Sequence, residues 1–571
     1  MGATSLRGLA AAPGVAVARA WRYEPPRDGD DRLGLDEASA GAAAALEALA
    51  ERLRGAGRED EAEILDAQAM MARDPELIAA VRRHIDDGAG GSEAVLAAGE
   101  EQAALLAGLG DEVLSGRAAD VRDVAERIAR AMRGQELPRL EERSIAVADD
   151  LPPSITAELD PALLAGIALE AGSPTAHAAI LSRALGIPAV VGVRGLLAAV
   201  GAASEIGIDG GAGEVVVDPD SAARQRLELA AAAERDRRLA DQGLRAAPLA
   251  TRDGHRVMLG ANIGNPQEAA AAVREGAEGV GLFRTEFMFM GRSSAPSIEA
   301  QATSYASVLD AFPGRPVVIR LLDIGGDKVL PYLHQEREEN PFLGVRALRL
   351  AATNRELLVG QLRAIALAAE RSVAETWVMA PMVADLDDIA LLDGLVADAG
   401  GPWSRVRIGI MVEIPSAALL AERLGAAVDF FSIGTNDLTQ YLLAADRTNA
   451  ALAARQDPMH PAVLRTISAA VEGGRAAGNP VAVCGEMAGD PVGAVALVGL
   501  GVDELSMDPA AFGAVKRAVG AVTLDQARAA ATAACQAASA VDAREAVARS
   551  LGDAAEHDHA YWYDRGRKAL E

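Results

Sequence analysis

Asn436 and Asp437, a carboxamide beside a carboxylate, close the apolar run in VDFFSIGTNDLTQ, Val428 to Gln440. Such a pair at the end of a buried strand suits a divalent cation that in turn holds an anionic ligand. Other apolar runs end in comparable groups: Asn262, Arg284 with Glu286, Arg320 with Asp323, Glu413, and Cys484 with Glu486. Arg284, Arg320, Arg346 and Arg447 supply planar guanidinium forks matched to phosphate and carboxylate oxygens. Glu413 and Asp437 supply hard oxygen ligands for Mg2+. Together these types point to a small, multiply anionic, phosphorylated substrate. Lys328, in DIGGDK, is one of three lysines in a chain with 55 Lys plus Arg. A chain that otherwise uses arginine has reason to place an ammonium there, with chance surface placement as the alternative.

Cys484 follows an apolar strand and precedes Gly485 and Glu486, which puts a thiol where it is either a proton donor or an inert buried group. Cys535 lies in the Ala-rich TAACQAASA and reads as a helix-packing residue. Two cysteines are too few for a disulfide framework and fit a reducing compartment.

A second chemical centre lies far away in sequence. In AGSPTAHAAILSRALGIPAVVG, Ser173 is placed to cap a helix with Pro174 at its first position, and Ala178 to Leu185 continue the helical pattern. His177 then falls in the first turn. A phosphate on its imidazole would meet free backbone N–H groups and the positive end of the helix dipole. A lone histidine also serves as a structural or surface group. The phosphate chemistry implied by the other runs favours a nucleophile, and those runs offer no histidine of their own.

The elements that must position these groups follow from periodicity. From Arg256 onward the runs RVMLGANIG, AEGVGLFRTE, PVVIRLLDIG, TWVMAPMV, VRIGIMVEIP, VDFFSIGTND, PVAVCGEMAG and VDELSMD each precede a helical stretch. Eight strand-then-helix units predict a (β/α)8 barrel, whose active sites lie at the C-terminal ends of the strands. Residues 35–134 are rich in Ala, Leu, Glu and Arg at helical spacing and predict an inserted all-α subdomain. The flanking segments 1–34 and 135–220 carry short β-type runs, at Ser144–Ala148, Leu164–Leu169, Ala189–Val193 and Glu214–Val217, and form an α/β domain around His177. Residues 221–248 predict a helical linker, 249–551 the barrel, and 552–571 a tail. His557 and His559 in that tail read as an exposed segment rather than a metal site.

The net charge of −27 over 571 residues argues against a nucleic-acid partner and favours a basic protein partner or simple solubility. No apolar run reaches the length of a membrane span, so no membrane insertion is expected. GLAAAPGVAVA, interrupted by Pro13 and Gly14, reads as strand and turn rather than a secretion signal. A cytoplasmic enzyme is the expectation.

The segments GSPTAHAAILSRALGIPAVVG, GAEGVGLFRTEFMFM, RLLDIGGDK, ENPFLGVRALR, MVEIPSAA, FFSIGTNDLTQYLLAADR and CGEMAGD, in this order, resemble the Enzyme I family of the bacterial phosphoenolpyruvate:sugar phosphotransferase system. The resemblance runs from GLAAAPGVAVARA to about Leu551. It implies that His177 is the phosphorylated histidine. It further implies that Arg284, Arg320, Asn436 and Arg447 hold phosphoenolpyruvate, that Glu413 and Asp437 bind Mg2+, and that Cys484 protonates the enolate. It implies an N-terminal swivelling domain, a helical insert that docks the phosphocarrier HPr, and a homodimer formed through the barrel. Glu61, Glu63 and Asp66 then suit a basic partner, or simply form a solvated face. Ala176 stands where the family commonly has serine, and the tail from Gly552 matches nothing in it. Pyruvate phosphate dikinase and phosphoenolpyruvate synthase share the histidine and barrel, but they need a large ATP-binding region before the histidine, and only 176 residues precede His177. A catalytically silent regulatory homologue is the other alternative, disfavoured by the complete set of candidate groups.

Overall fold

The computed structural model describes residues 3–24, 30–55, 59–108, 112–135, 139–172, 177–201, 204–290, 292, 294–326, 330, 332–333, 338–447, 449, 452 and 455–551. Lys328, Ser173, Pro174, Ala176 and the tail lie outside them. The chain divides into two compact units, Met1–Asp236 and Arg237–Glu571.

In the first unit the strands are β1 (Thr4–Arg7), β2 (Leu9–Ala12), β3 (Val15–Arg22), β4 (Ser144–Ala148), β5 (Leu164–Leu169), β6 (Ala189–Val191), β7 (Glu205–Asp209) and β8 (Glu214–Val217). They form one sheet in the order β1-β8-β7-β3-β4-β5-β6-β2. β3, β4, β5 and β6 run parallel in the middle, with antiparallel pairs toward both edges. β4 and β5 are buried along their whole length, as expected of strands covered on both faces. Helices at Leu35–Gly55, Glu59–Ala72, Pro75–Asp86, Gly91–Gly108 and Glu112–Met132 enclose a separate Ala- and Leu-rich core. Small side chains let these helices approach closely, so that core is built from Ala38, Ala42, Leu46, Leu49 and their neighbours. Asp66 pairs with Arg54 at 2.6 Å; the side chains of Glu61 and Glu63 lie outside the described residues.

The second unit is a closed parallel barrel in which every strand but the last is followed by helix before the next. Its strands are β9 (Met258–Ile263), β10 (Gly279–Phe283), β11 (Pro316–Arg320), β12 (Glu375–Ala380), β13 (Val406–Val412), β14 (Phe431–Ile433), β15 (Val481–Val483) and β16 (Glu504–Met507). Neighbours pair in chain order, and β16 closes on β9 with Glu504 opposite Met258. Seven fall within the apolar runs that predicted them, and β12 begins one residue ahead of its run, at Glu375. Alternation along each strand sends one residue to the helices and the next to the barrel axis. Leu505 and Met507 join the large outer core, whereas Leu282, Val318, Trp377, Met379, Met411, Phe430 and Cys484 form a cluster of their own inside. The barrel is therefore filled by side chains rather than hollow.

Candidate active site

The inward-facing residues at the C-terminal ends of these strands carry the candidate chemistry. Arg320 ends β11 and pairs with fully buried Glu286 and, at 3.2 Å, with Asp323. Burial works against its charge, yet Glu286, Asp323 and Glu413 outweigh it and hold the guanidinium firmly protonated. Among the described residues its buried Nε has no hydrogen-bond acceptor, and neither has Nε of Arg284, which follows β10. Buried donors of this kind are costly unless a ligand oxygen meets them. Arg284 also lies over the ring of Phe287, 5.6 Å from its centroid.

Arg346 enters from a loop between β11 and β12. Its Nη2 reaches both oxygens of Asp323 at 3.0 and 3.1 Å, and its Nη1 reaches Asp437 Oδ1 at 3.1 Å. The backbone approach that permits this depends on Gly325, at φ +116°, where an added Cβ would sit 2.5 Å from the Arg346 Cβ. Arg447 brings Nη1 to 3.5 Å from Asp437 Oδ2 and shares the ring face of Phe342 with Arg346. Asp437 lies in the first turn of the helix Thr435–Leu443 after β14, where the helix dipole favours a carboxylate. Both its oxygens thus face arginines.

Glu413, one residue past β13, is buried; its Oε1 accepts from the backbone N–H of Met382 at 2.7 Å. Met382 adopts φ +59°, a conformation unusual for a side chain of its size and one that turns this N–H toward Glu413. Burial first, then the neighbouring Asp437 and Asp323, push the Glu413 carboxyl well above its ordinary range, with Arg346 and Arg320 opposing. A divalent cation answers that excess of buried carboxylate. Among the described residues no three or more His, Cys, Asp or Glu gather into a closed metal cage. Two carboxylates beside cationic ligand-binding groups fit Mg2+, which usually takes one or two carboxylates and draws its other ligands from substrate and water. Glu413 and Asp437 would hold it.

Asn436 and Glu486 clamp each other. The Asn436 amide donates to Glu486 Oε1 at 3.1 Å, and the Glu486 backbone N–H donates to Asn436 Oδ1 at 3.0 Å. Cys484, past the end of β15, is buried; burial raises its thiol to about 11, so it is held as S–H. Its carbonyl accepts from the Asn262 amide at 2.9 Å. Arg284, Arg320, Arg346, Glu413, Asn436, Asp437, Arg447 and Cys484 are thus all at strand ends or in the loops and first helical turn beyond them, on one rim of the barrel. His177 belongs to the other unit, where its backbone opens the helix His177–Leu185.

Sequence reasoning passed over the residues that brace this rim. Gln361, on the helix Ala351–Arg371, is fully buried; it accepts from Leu322 N–H at 2.9 Å and donates to Thr285 Oγ1 at 2.9 Å, which in turn donates to Arg320 O. Tyr441 donates to Phe342 O at 2.6 Å, fixing the ring beneath two arginines. Gln361 carries a weak signal: it is a polar residue in an apolar stretch of helix, LLVGQLRAIALAA.

Three family models match the chain in order: the PEP-utilising enzyme N-terminal domain over residues 7–117, the mobile domain over 140–213, and the PEP-binding domain over 239–524. A phosphoenolpyruvate-protein phosphotransferase of Streptomyces coelicolor is 45% identical over 556 residues, covering 95% of this chain and 98% of the relative. The chain belongs to the phosphoenolpyruvate-protein phosphotransferase family. Relatives of the same name from Bacillus subtilis and Enterococcus faecalis are 37% and 38% identical, each covering 88% of this chain and 92% and 91% of their own length. Members of this phosphotransferase family are transferases, and the PEP-binding match spans the barrel while the mobile-domain match spans His177.

Proposed function

We propose that the chain transfers the phosphoryl group of phosphoenolpyruvate to His177 and then to a histidine of HPr, releasing pyruvate, as the first step of a sugar phosphotransferase system. The observation that carries this reading is the rim itself: buried guanidinium groups of Arg320 and Arg346, the carboxylates Glu413 and Asp437, and the protonated thiol of Cys484 converge at one barrel mouth.

Phosphoenolpyruvate carries its phosphate and carboxylate to Arg284, Arg320 and Arg447, with Asn436 fixing its orientation, Arg346 keeping the carboxylates in place, and Lys328 available as a further cation. Mg2+ on Glu413 and Asp437 supplies charge neutralisation at the phosphoryl oxygens. The neutral imidazole of His177 attacks phosphorus in line as the bond to the enol oxygen breaks, and positioning and charge provide most of the rate. The enolate left behind takes the Cys484 proton at its methylene carbon and becomes pyruvate, which draws the reversible transfer forward. Because His177 and the barrel belong to separate compact units, turnover includes domain movement, a kind of step able to limit the rate. The helical core of the first unit docks HPr, the barrel forms the homodimer contact, and the enzyme works in the cytoplasm. No helix among the described residues is long and apolar enough to cross a membrane.

Incubation with labelled phosphoenolpyruvate and Mg2+, followed by mapping of the acid-labile phosphate, tests the reading. Label on His177 is the expected result. Stable label on His255, His334 or His460 overturns the assignment.

A further inference from the structure

Behind Cys484 the barrel holds a carboxyl group to which the phosphotransfer chemistry gives no role. Glu504 opens β16 and faces the axis; it is 6% exposed, and among the described residues its buried Oε1 has no hydrogen-bond partner. Space for it exists because two facing strands present glycine. An added Cβ on Gly281 of β10 would lie 2.2 Å from Glu504 Oε1 and 2.5 Å from Ser506 Oγ, and one on Gly260 of β9 would lie 2.4 and 3.0 Å from the same two oxygens. Ala482, opposite Glu504 in the register of β15, adds only a methyl group. Carboxyl and hydroxyl therefore share one small chamber. From it the Ser506 hydroxyl donates to Asn262 Oδ1 at 2.7 Å, and the Asn262 amide holds the Cys484 carbonyl. Glu504 and Cys484 feel each other electrostatically across this distance.

We propose that Glu504 is the proton reserve of the barrel, a neutral carboxylic acid that reprotonates the Cys484 thiolate after each turnover. The inference rests on the reading of Cys484 as proton donor to the enolate. That step forms a C–H bond, breaks the S–H bond and leaves a thiolate in a buried site. The Glu504 proton then passes to sulfur through a water admitted beside the two glycines. The carboxylate so formed regains its proton from solvent, and no other reactant is consumed.

The direction of transfer is favourable. Burial, then the nearby Asp503 and Glu278, raise Glu504 to about 7, while burial raises Cys484 to about 11, so the proton moves from the stronger acid to the stronger base. The two acidic neighbours are themselves engaged: Asp503 accepts from Val481 N–H, and Glu278 accepts from Leu259 N–H and pairs with Arg256. Gly260, Gly281 and Ala482 bring no charge to the chamber. Glu504 acts through Cys484 and touches no reacting atom.

Glu504→Gln preserves shape and removes the proton. In the full-length enzyme with Mg2+, phosphoenolpyruvate and excess HPr, the first pyruvate per site should form at the wild-type rate, because Cys484 starts protonated. Later turnovers should slow by about tenfold or more, giving a burst, with kcat/KM for phosphoenolpyruvate unchanged because KM falls along with kcat. Glu504→Asp, still an acid, should recover part of the loss. Steady-state turnover in wild type should also fall as pH rises through about 7, a limb absent from the first turnover. A Gln variant that turns over like wild type without a burst, or an alkaline limb equally strong in the first turnover, overturns the proposal. Failure of the wild-type enzyme to release any pyruvate refutes the phosphotransfer reading itself, and this inference falls with it.

Discussion

Arg346 Nη1 stands 3.1 Å from Asp437 Oδ1 while the other side of the same guanidinium holds both oxygens of Asp323, with all three side chains sealed from solvent. Arg346 therefore spends its donors on the protein's own carboxylates and, on the proposed reading, serves substrate binding by holding Asp437 in place. A buried pair deprived of one partner leaves an uncompensated charge, which typically costs about 3–5 kcal/mol. Arg346→Ala should destabilise the barrel by an amount in that range, read from chemical unfolding. Arg346→Lys should restore only part of it, since an ammonium cannot span two carboxylates in the same plane. A loss near zero for the Ala variant would mean that Arg320 and Arg447 satisfy the two aspartates without it.

Cys484→Ser should lower pyruvate formation by about a hundredfold or more, because a serine hydroxyl is a far weaker acid than a thiol. Fold and phosphoenolpyruvate affinity should change little, as the side chain is small and the Asn262 contact is to the backbone carbonyl. Calorimetric binding beside a pyruvate assay separates the two effects. Wild-type turnover in this variant would transfer the proton-donor role to water or to another group.

His177→Ala should abolish acid-labile label while phosphoenolpyruvate still binds with Mg2+, since on the proposed reading the imidazole is nucleophile and not anchor. Loss of binding together with label would make His177 part of the substrate site.

The barrel was readable because its strands are apolar runs that end abruptly in charge, and because closure brings all such ends to one rim. Arg320, Glu413, Asp437 and Cys484 stand out as candidates in sequence because they end or follow those runs. Gln361 did not, because a polar residue on a helix reads as surface until tertiary packing buries it. Met382 did not, because a positive φ in a methionine leaves no mark in sequence. Glu504 looked like the polar half of an alternating strand. Only the facing glycines, more than 200 residues earlier in the chain, reveal that it points inward. The edge strand β1 was faint for another reason: a short, largely exposed strand carries too few apolar residues to stand out.

Glu504 also carries a stability signature. Its folded value of about 7 lies above that of an unfolded carboxyl near ~4.3, so the folded state holds the proton more tightly. Stability from this group is complete below the unfolded value and is lost as pH rises through about 7, a total of up to about 4 kcal/mol. Glu504→Gln should therefore come closest to wild type below about pH 4 and exceed it in stability near pH 8. Glu413 and every other group cancel in the comparison. Parallel stability curves for the two proteins across that range would show that Glu504 titrates normally, and would remove the physical ground for a proton reserve.

The start of the barrel unit is fixed by Lys516. Its ammonium donates to the carbonyls of Leu244 and Arg245 at 3.1 and 2.9 Å, and its neighbour Arg517 pairs with Asp241. Burial lowers the Lys516 ammonium, with Glu278 opposing, so those two carbonyls matter to its charge. A fragment beginning at Leu249, where the linker pattern ends in sequence, would strip them away, and an unsatisfied buried donor costs about 1–3 kcal/mol or more. A fragment from Arg237 to Glu571 should thus unfold at distinctly higher denaturant than one from Leu249 to Glu571. Both should bind phosphoenolpyruvate with Mg2+ and release no pyruvate, since neither contains His177. The complementary fragment, Met1 to Asp236, retains its own sheet and helical core and should take phosphate from phosphorylated HPr yet fail with phosphoenolpyruvate. Pyruvate from either barrel fragment would show that a group inside the barrel accepts phosphate. A folded N-terminal fragment unable to accept phosphate from HPr would mean that the histidine needs the barrel for both partners.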